Sequence, residues 1–295
     1  MTDFISFGEV LFDCYSDGQT VLGGAPLNCA GHMARLGLKG LILSAVGDDD
    51  LGKQALKEIA DLGIDTKQIQ VTTEADTGTA DLKIHGRSVA YTFNSPAAWD
   101  MIEPVTNLEN ARLVYFGTLA QRSAKSKEAL YTLLENLDPE YVFFDVNLRK
   151  DFYTKDIVKN GLEYANILKM GEDEIPTVLS LLGVKETGRE ALSRLCLLYN
   201  LKLIIITDGK RGVSCLYAGR WYHEDFPEVS VHDTVGAGDA LSGGFLATFL
   251  RTGNIAKALH TGAVLASYVV TQRGGLQEYD EATKLFLQEE GLIEQ

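Results

Sequence analysis

The run Asp233-Thr234-Val235-Gly236-Ala237-Gly238-Asp239 ends where an apolar helical pattern, Ala240–Leu250, begins. Gly236 and Gly238 let the chain turn and leave no side chain between its backbone and a ligand. The N–H groups of a first helical turn have no partner inside the helix, and with the helix dipole they form a site for an anion. A carboxylate at Asp239 is out of place beside a phosphate that is only held. It makes sense if the phosphate is handed to a hydroxyl. The N–H groups of Gly236, Ala237 and Gly238 then take the charge, and Asp239 takes the hydroxyl's proton. The same dipole should hold Asp239 ionised and make it a weak base, which a loose phosphoryl-transfer transition state tolerates. A plain glycine-rich helix start with a capping Asp explains one Gly and one Asp, not the whole string.

A second run, Gly23-Gly24-Ala25-Pro26-Leu27-Asn28-Cys29-Ala30, also leads into a helical stretch, to Leu36. Its two glycines allow close backbone approach to a ligand, and Pro26 fits a first helical turn. Asn28 offers a donor and an acceptor to a polyol. Taken alone, this run reads equally well as a tight turn before a helix. Gly47–Lys53 has the spacing of a P-loop, but Gln54 stands where the magnesium-binding Ser or Thr belongs, and three aspartates inside the loop would repel phosphate. Asp48–Asp50 reads better as an acidic helix start. The five histidines, His32, His85, His223, His232 and His260, show no metal-ligand spacing, and Cys14, Cys29, Cys196 and Cys215 form no C-x-x-C pair. Free thiols in a reducing compartment are the expectation.

The elements that must position these residues alternate. Phe4–Phe7, Leu41–Val46, Leu113–Phe116, Val142–Val146, Ile167–Met170 and Leu203–Thr207 are short apolar runs of the kind that become buried strands. Leu51–Leu62, Ser126–Leu137 and Arg189–Tyr199 between them have helical spacing, as do Ala237–Leu250, Ala256–Thr271 and Glu281–Leu287 in the last third. Such alternation predicts an α/β protein with a mostly parallel sheet covered on both faces, and a ligand site beyond the strands' carboxyl ends. Thr77–Phe93 breaks the pattern: apolar and polar residues alternate on both sides of His85-Gly86-Arg87, as in an antiparallel flap, and Asp13–Val21 adds to it. We expect one domain over residues 1–295, with a small β lid inserted at about 12–22 and 76–98. Apolar residues at 45% suit a globular protein. Lys and Arg total 27 against 41 Asp and Glu, a net charge of −14 that disfavours nucleic acid. No signal peptide and no membrane span are visible in the sequence, so a cytoplasmic address is expected.

Together the two glycine runs resemble both signature patterns of the PfkB carbohydrate kinases. Gly37 and Gly47 continue the first at the family's spacing, and Ser242-Gly243-Gly244-Phe245 continues the second. The resemblance implies the ribokinase-like fold, a three-layer α/β/α sandwich with a small β lid, and ATP-dependent phosphorylation of a sugar. It makes Asp239 the base and Gly236, Ala237 and Gly238 the anion hole. Asp13, Gly24 and Asn28 resemble the sugar contacts. Lys169 stands like a lysine of the nucleotide region, and Thr207-Asp208-Gly209-Lys210-Arg211-Gly212 resembles the nucleotide turn, which assigns Thr207, Gly209 and Gly212. Asp145-Val146-Asn147-Leu148-Arg149 resembles the D-x-N-x-R run of fructokinases and ketodeoxygluconate kinases, which places Asn147 and Arg149 near substrate and phosphate. The family's N-x-x-E, tied to magnesium, reads Gly171-Glu172-Asp173-Glu174 here. Glu174 keeps its place, Gly171 replaces the Asn, and Asp173 is a second candidate. A monovalent cation such as K+ beside Asp233 is implied for parts of the family, as is a homodimer through the lid.

The lid segment Tyr91-Thr92-Phe93-Asn94-Ser95-Pro96-Ala97-Ala98 has no arginine, whereas a buried substrate carboxylate wants a cation. Arg149 is a candidate for that cation, but by the resemblance it serves phosphate. A neutral ketohexose, fructose first, is therefore expected. Tyr91 and Phe93 either stack on the sugar or fill the lid core. A 2-keto-3-deoxygluconate kinase and a non-catalytic sugar or nucleotide sensor are the rival readings. The intact Asp239 speaks against the sensor, which needs no base.

Overall fold

Residues 2–85 and 88–294 are described in the computed structural model. The strands in chain order are β1 (Thr2–Phe7), β2 (Leu11–Cys14), β3 (Thr20–Gly23), β4 (Gly40–Gly47), β5 (Ile69–Thr72), β6 (Gly78–His85) and β7 (Ser88–Phe93). They continue with β8 (Ala111–Gly117), β9 (Tyr141–Asp145), β10 (Ile167–Gly171), β11 (Leu203–Thr207), β12 (Val213–Tyr217) and β13 (Arg220–Glu224). The helices are α1 (Ala25–Arg35), α2 (Asp50–Asp61), α3 (Ala124–Asn136), α4 (Lys155–Tyr164), α5 (Ile175–Leu182), α6 (Gly188–Tyr199), α7 (Ala237–Thr252), α8 (Ile255–Val269) and α9 (Glu281–Glu289).

Every apolar run read as a strand lies in one nine-stranded sheet of order β13-β12-β11-β10-β9-β8-β1-β4-β5. From β5 to β11 all neighbours are parallel, and β12 and β13 add antiparallel at one edge. Successive residues serve opposite faces, as the two-residue period of a strand requires. Phe4, Leu113 and Phe143 join a core with α1, α7 and α8, while Ile5, Val114 and Phe144 join a second core with α3, α4 and α6. Two cores around one sheet make the expected three layers. Helix α7 is buried all round from Ala240 to Leu250, which is why its sequence shows little amphipathy.

A second sheet has the order β3-β2-β6-β7. The expected flap was antiparallel, and two of its pairs are, but β2 and β6 run parallel. The reason is topological: β2 follows β1 and β6 follows β5, and these body strands share one direction through β4. Chain leaving the same end of the body twice pairs in parallel. The turn expected at His85-Gly86-Arg87 has residues 86 and 87 outside the described residues. The sequence reading missed β5, β12, β13, α4 and α5, which are short and largely at edges or surfaces.

The P-loop-like run is indeed a helix start. Asp49 caps α2, accepting from Gly52 N–H at 2.7 Å, and also receives the Thr77 hydroxyl at 2.7 Å, tying this corner to the start of β6. All four cysteines are free. No helix among the described residues is long and apolar enough to cross a membrane.

Candidate active site

Helix α7 opens on Gly236, whose φ of 77° is left-handed. A Cβ there would overlap the Cα of Gly275, so the position excludes side chains by space as well as by backbone. Ala237 and Gly238 form the first turn, and Asp239 follows at its third position. Asn28, from the first turn and a half of α1, donates to Asp239 Oδ2 at 2.8 Å. The two glycine-rich runs therefore meet, and each helix start presents one polar side chain to the other.

Asp239 lines a cavity at the junction of the two sheets. Burial pushes its carboxyl up, and the opposing pull of Lys169 and Asn28 does not cancel that push. The helix dipole was expected to keep Asp239 ionised and weakly basic. Burial works against that expectation, while Lys169 and Asn28 act in the same sense as the dipole.

Asp13, on β2, faces the same cavity and is 3% exposed. Burial, with Asp239 and Asp233 nearby, pushes its carboxyl up to about 7, against a lowering pull from Arg149. Gly24 lines the cavity beside it and has a φ of 111°; a Cβ there would overlap the carbonyl of Glu9. The Oδ1 of Asn28 is buried and has no hydrogen-bond partner among the described residues. An orphan buried acceptor is costly, and a substrate hydroxyl would satisfy it.

The small sheet contributes Tyr91 and Phe93, whose rings stack at 5.9 Å. They wall the cavity and also pack on the lid core of Leu11, Tyr15, Ala80, Leu82 and Val235. Asn147 and Arg149 enter from the loop after β9. Asn147 has a left-handed φ of 39°, and the Thr118 hydroxyl donates to the carbonyls of Val146 (2.8 Å) and Asn147 (3.3 Å). That strained, fastened loop aims Arg149, whose guanidinium carbon lies 4.8 Å from the Tyr91 ring centre. Burial works against the Arg149 charge, and Tyr91, Asp239 and Glu174 outweigh it.

Glu9 was not singled out from the sequence, yet it lines the cavity and is 4% exposed. Burial pushes it up to about 7, with Asp239 adding to the rise, while its own N–H and that of Ala25 pull it down. A usable signal was present: Glu9 is the one charged residue between Phe4 and Phe12. Leu11, Ala25, Leu119 and Val235 complete the wall, and as apolar residues they carry no such signal in the sequence.

The remaining predicted residues lie outside the cavity wall. Lys169 Nζ donates to both oxygens of Asp145, at 3.1 and 2.9 Å, and both side chains are buried. Glu174 accepts from Leu148 N–H at 2.5 Å and Gly171 N–H at 2.7 Å, bracing the loop that carries Arg149. Burial raises its pKa. Gly171 has no room for a side chain while Asp173 stands where it does, since a Cβ would overlap Asp173 Oδ1. Asp233 receives the Tyr15 hydroxyl at 2.6 Å, Val235 N–H at 3.0 Å and Gly274 N–H at 3.3 Å. Thr207 ends β11 opposite Gly171, and its turn closes with Asp208 N–H on Gly212 O at 3.0 Å. Gly209 and Gly212 have left-handed φ values of 47° and 100°. This turn sits at the carboxyl edge of the parallel strands, outside the cavity lining. His32 is fully buried between Tyr279 OH (2.6 Å) and Gly275 O (2.8 Å), held neutral by burial, and serves the scaffold. No group of three or more potential metal ligands occurs among the described residues.

Residues 3–281 match the family described as pfkB family carbohydrate kinase. A fructokinase of Klebsiella pneumoniae is 28% identical over 255 residues, covering 81% of this chain and 82% of the relative. A 5-dehydro-2-deoxygluconokinase of Geobacillus thermodenitrificans is 25% identical over 296 residues, covering 91% and 87%. Among solved structures, a fructokinase from Xylella fastidiosa with bound ATP superposes with a TM-score of 0.84 at 22% identity, covering 98% of this chain and 99% of that one.

Proposed function

This chain belongs to the pfkB family of carbohydrate kinases, and we propose that it transfers the γ-phosphoryl group of ATP to a hydroxymethyl group of a ketohexose, most of all fructose. The observation that carries this is the Asn28–Asp239 hydrogen bond, which joins a polar cavity to the glycine-rich start of α7. Glu9, Asp13 and the orphan Asn28 Oδ1 supply donors and acceptors for hydroxyls, because carboxyls near 7 serve in both capacities at neutral pH.

In the transfer step the sugar oxygen bonds to the γ-phosphorus as the bond from that phosphorus to the β–γ bridging oxygen breaks. ADP leaves, and the hydroxyl proton passes to Asp239. The N–H groups of Gly236, Ala237 and Gly238 and the Arg149 guanidinium face the charge on the phosphoryl oxygens. The Thr207–Gly212 turn, at the edge of the same strands, is our choice for the nucleotide. The small sheet acts as the lid that excludes water. A second copy of the chain pairing through that sheet is part of the same reading.

Magnesium, bound with the nucleotide, would supply charge neutralisation to the transferring group. The donor set suits an ion carried mostly by the nucleotide, because no cluster of three or more potential ligands occurs among the described residues. Glu174, whose oxygens keep spare lone pairs, and Asp173 would hold it through water. Asp233 suits a directly bound monovalent cation poorly, since three donors already occupy its carboxylate.

One observation favours a second reading. Arg149 lines the cavity and forms no salt bridge among the described residues, so a keto-acid carboxylate has a cation to meet. ADP release with ATP and magnesium over fructose, tagatose, ribose and 2-keto-3-deoxygluconate separates the two. Fructose as the best substrate is the expected result; the keto acid as the best substrate would replace fructose and give Arg149 to the substrate.

A further inference from the structure

Lys169 is the buried cation that the transfer step above leaves without a task. It comes from β10, and its ammonium lies 3.1 Å from the point where a Cβ on Gly238 would sit, directly against the first turn of α7. Its ammonium faces inward, where both oxygens of Asp145 on the neighbouring strand accept from it. Asp145 is fixed in turn by the Tyr115 hydroxyl at 3.0 Å, from β8. The arrangement is a buried, anchored positive charge under the turn that binds the phosphoryl group.

We infer that Lys169 is a positioning residue for the transfer step: held by Asp145 beneath Gly238, it supplies fixed positive charge to the anion hole and to Asp239. This rests on reading Asp239 as the base. The charged and titratable groups facing Asp239 are Lys169 on β10, Asp145 on β9, Arg149 on the loop after β9, Glu9 after β1, Asp13 on β2, Tyr91 on β7, Tyr115 on β8 and Cys29 on α1. Those facing Lys169 are Asp145, Asp239 and Glu174, and Cys29 of α1 also borders the group. Burial works against the Lys169 charge, but Asp145 and Asp239 outweigh it. Toward Asp239 the pair acts in opposite senses: Lys169 stabilises the carboxylate and Asp145 opposes it.

That opposition gives a test that a merely structural role would not pass. Turnover at saturating sugar and ATP is measured against pH for the full-length wild type, Lys169→Met and Asp145→Asn. Saturation matters, because Glu9 and Asp13 make sugar binding itself pH-dependent. Loss of activity toward acid reports protonation of the base in the loaded enzyme. Losing Lys169 should move that acid limb up by about one pH unit, and losing Asp145 should move it down. Lys169→Met leaves Asp145 buried without its cation and is the less stable variant. Where it is too unstable to assay, the downward shift in Asp145→Asn carries the test alone. Limbs that move together, or neither moving, would overturn the inference. Asp239→Asn, run beside them, keeps the two readings apart: its collapse with unshifted limbs in the others removes the role of Lys169 and leaves the base standing.

Discussion

Two polar regions meet at Asp239, and they are built differently. On the cavity side, Glu9 and Asp13 are held near 7 and Asn28 Oδ1 has no partner. On the strand side, Lys169, Asp145, Tyr115 and Glu174 already satisfy one another or nearby backbone. One side is unfinished until a polyhydroxylated ligand arrives; the other is complete beforehand. The contrast fits a reaction in which one partner varies in shape and the charge it transfers does not. Preorganised charge is what phosphoryl transfer asks of a protein, and unsatisfied hydrogen-bonding capacity is what sugar recognition uses.

The comparison can be broken at the unfinished side first. Asp13→Ala should lower kcat/KM for the sugar by about tenfold to a hundredfold, the worth of hydrogen bonds to a group that is charged or shares a proton. Nucleotide KM should stay within about twofold, and an equal loss for both substrates would place Asp13 in the complete region. Glu9→Leu should raise the sugar KM by roughly tenfold with little change in kcat, read from steady-state curves.

A third outcome concerns pH and the ligand-free protein. Glu9 and Asp13 have folded pKa values of about 7, raised from ordinary values of 4.5 and 3.8. Between about pH 4 and 7 the folded state therefore binds more protons than the unfolded state, and stability falls as pH rises through that window. Thermal melts should show this decline in the wild type and a flatter curve in Glu9→Gln and Asp13→Asn. A decline of equal steepness in both variants would mean that burial does not raise these carboxyls. The smallest effect is expected at Tyr15→Phe, which removes a 2.6 Å hydrogen bond to Asp233 between lid and anion loop. It should cost about 1 kcal/mol in urea unfolding and change kcat little.

The layers of the fold were legible because the buried strands are continuous apolar runs and the helices between them are amphipathic. The site was legible where backbone geometry forces residue type. Gly236 and Gly24 have left-handed or open conformations and no space for a side chain, so glycine was the only choice and its spacing stood out. Glu9 escaped because only the fold shows that its place after β1 adjoins the cavity. Lys169 stood out as a strand-end lysine, but its two bonds to Asp145 join neighbouring strands that only the fold brings side by side. The parallel β2–β6 pair was hidden because alternation gives a strand its faces, not its neighbour.

The central claim is that Asp239 takes a proton from a sugar hydroxyl while the start of α7 holds the phosphoryl group. Fructose-dependent ADP release by wild type and Asp239→Asn, each checked for native circular dichroism and for fructose binding, tests it directly. Turnover lower by about 10²–10⁴ in a variant that still folds and binds fructose is the expected result. A variant that folds, binds and turns over like the wild type would contradict it.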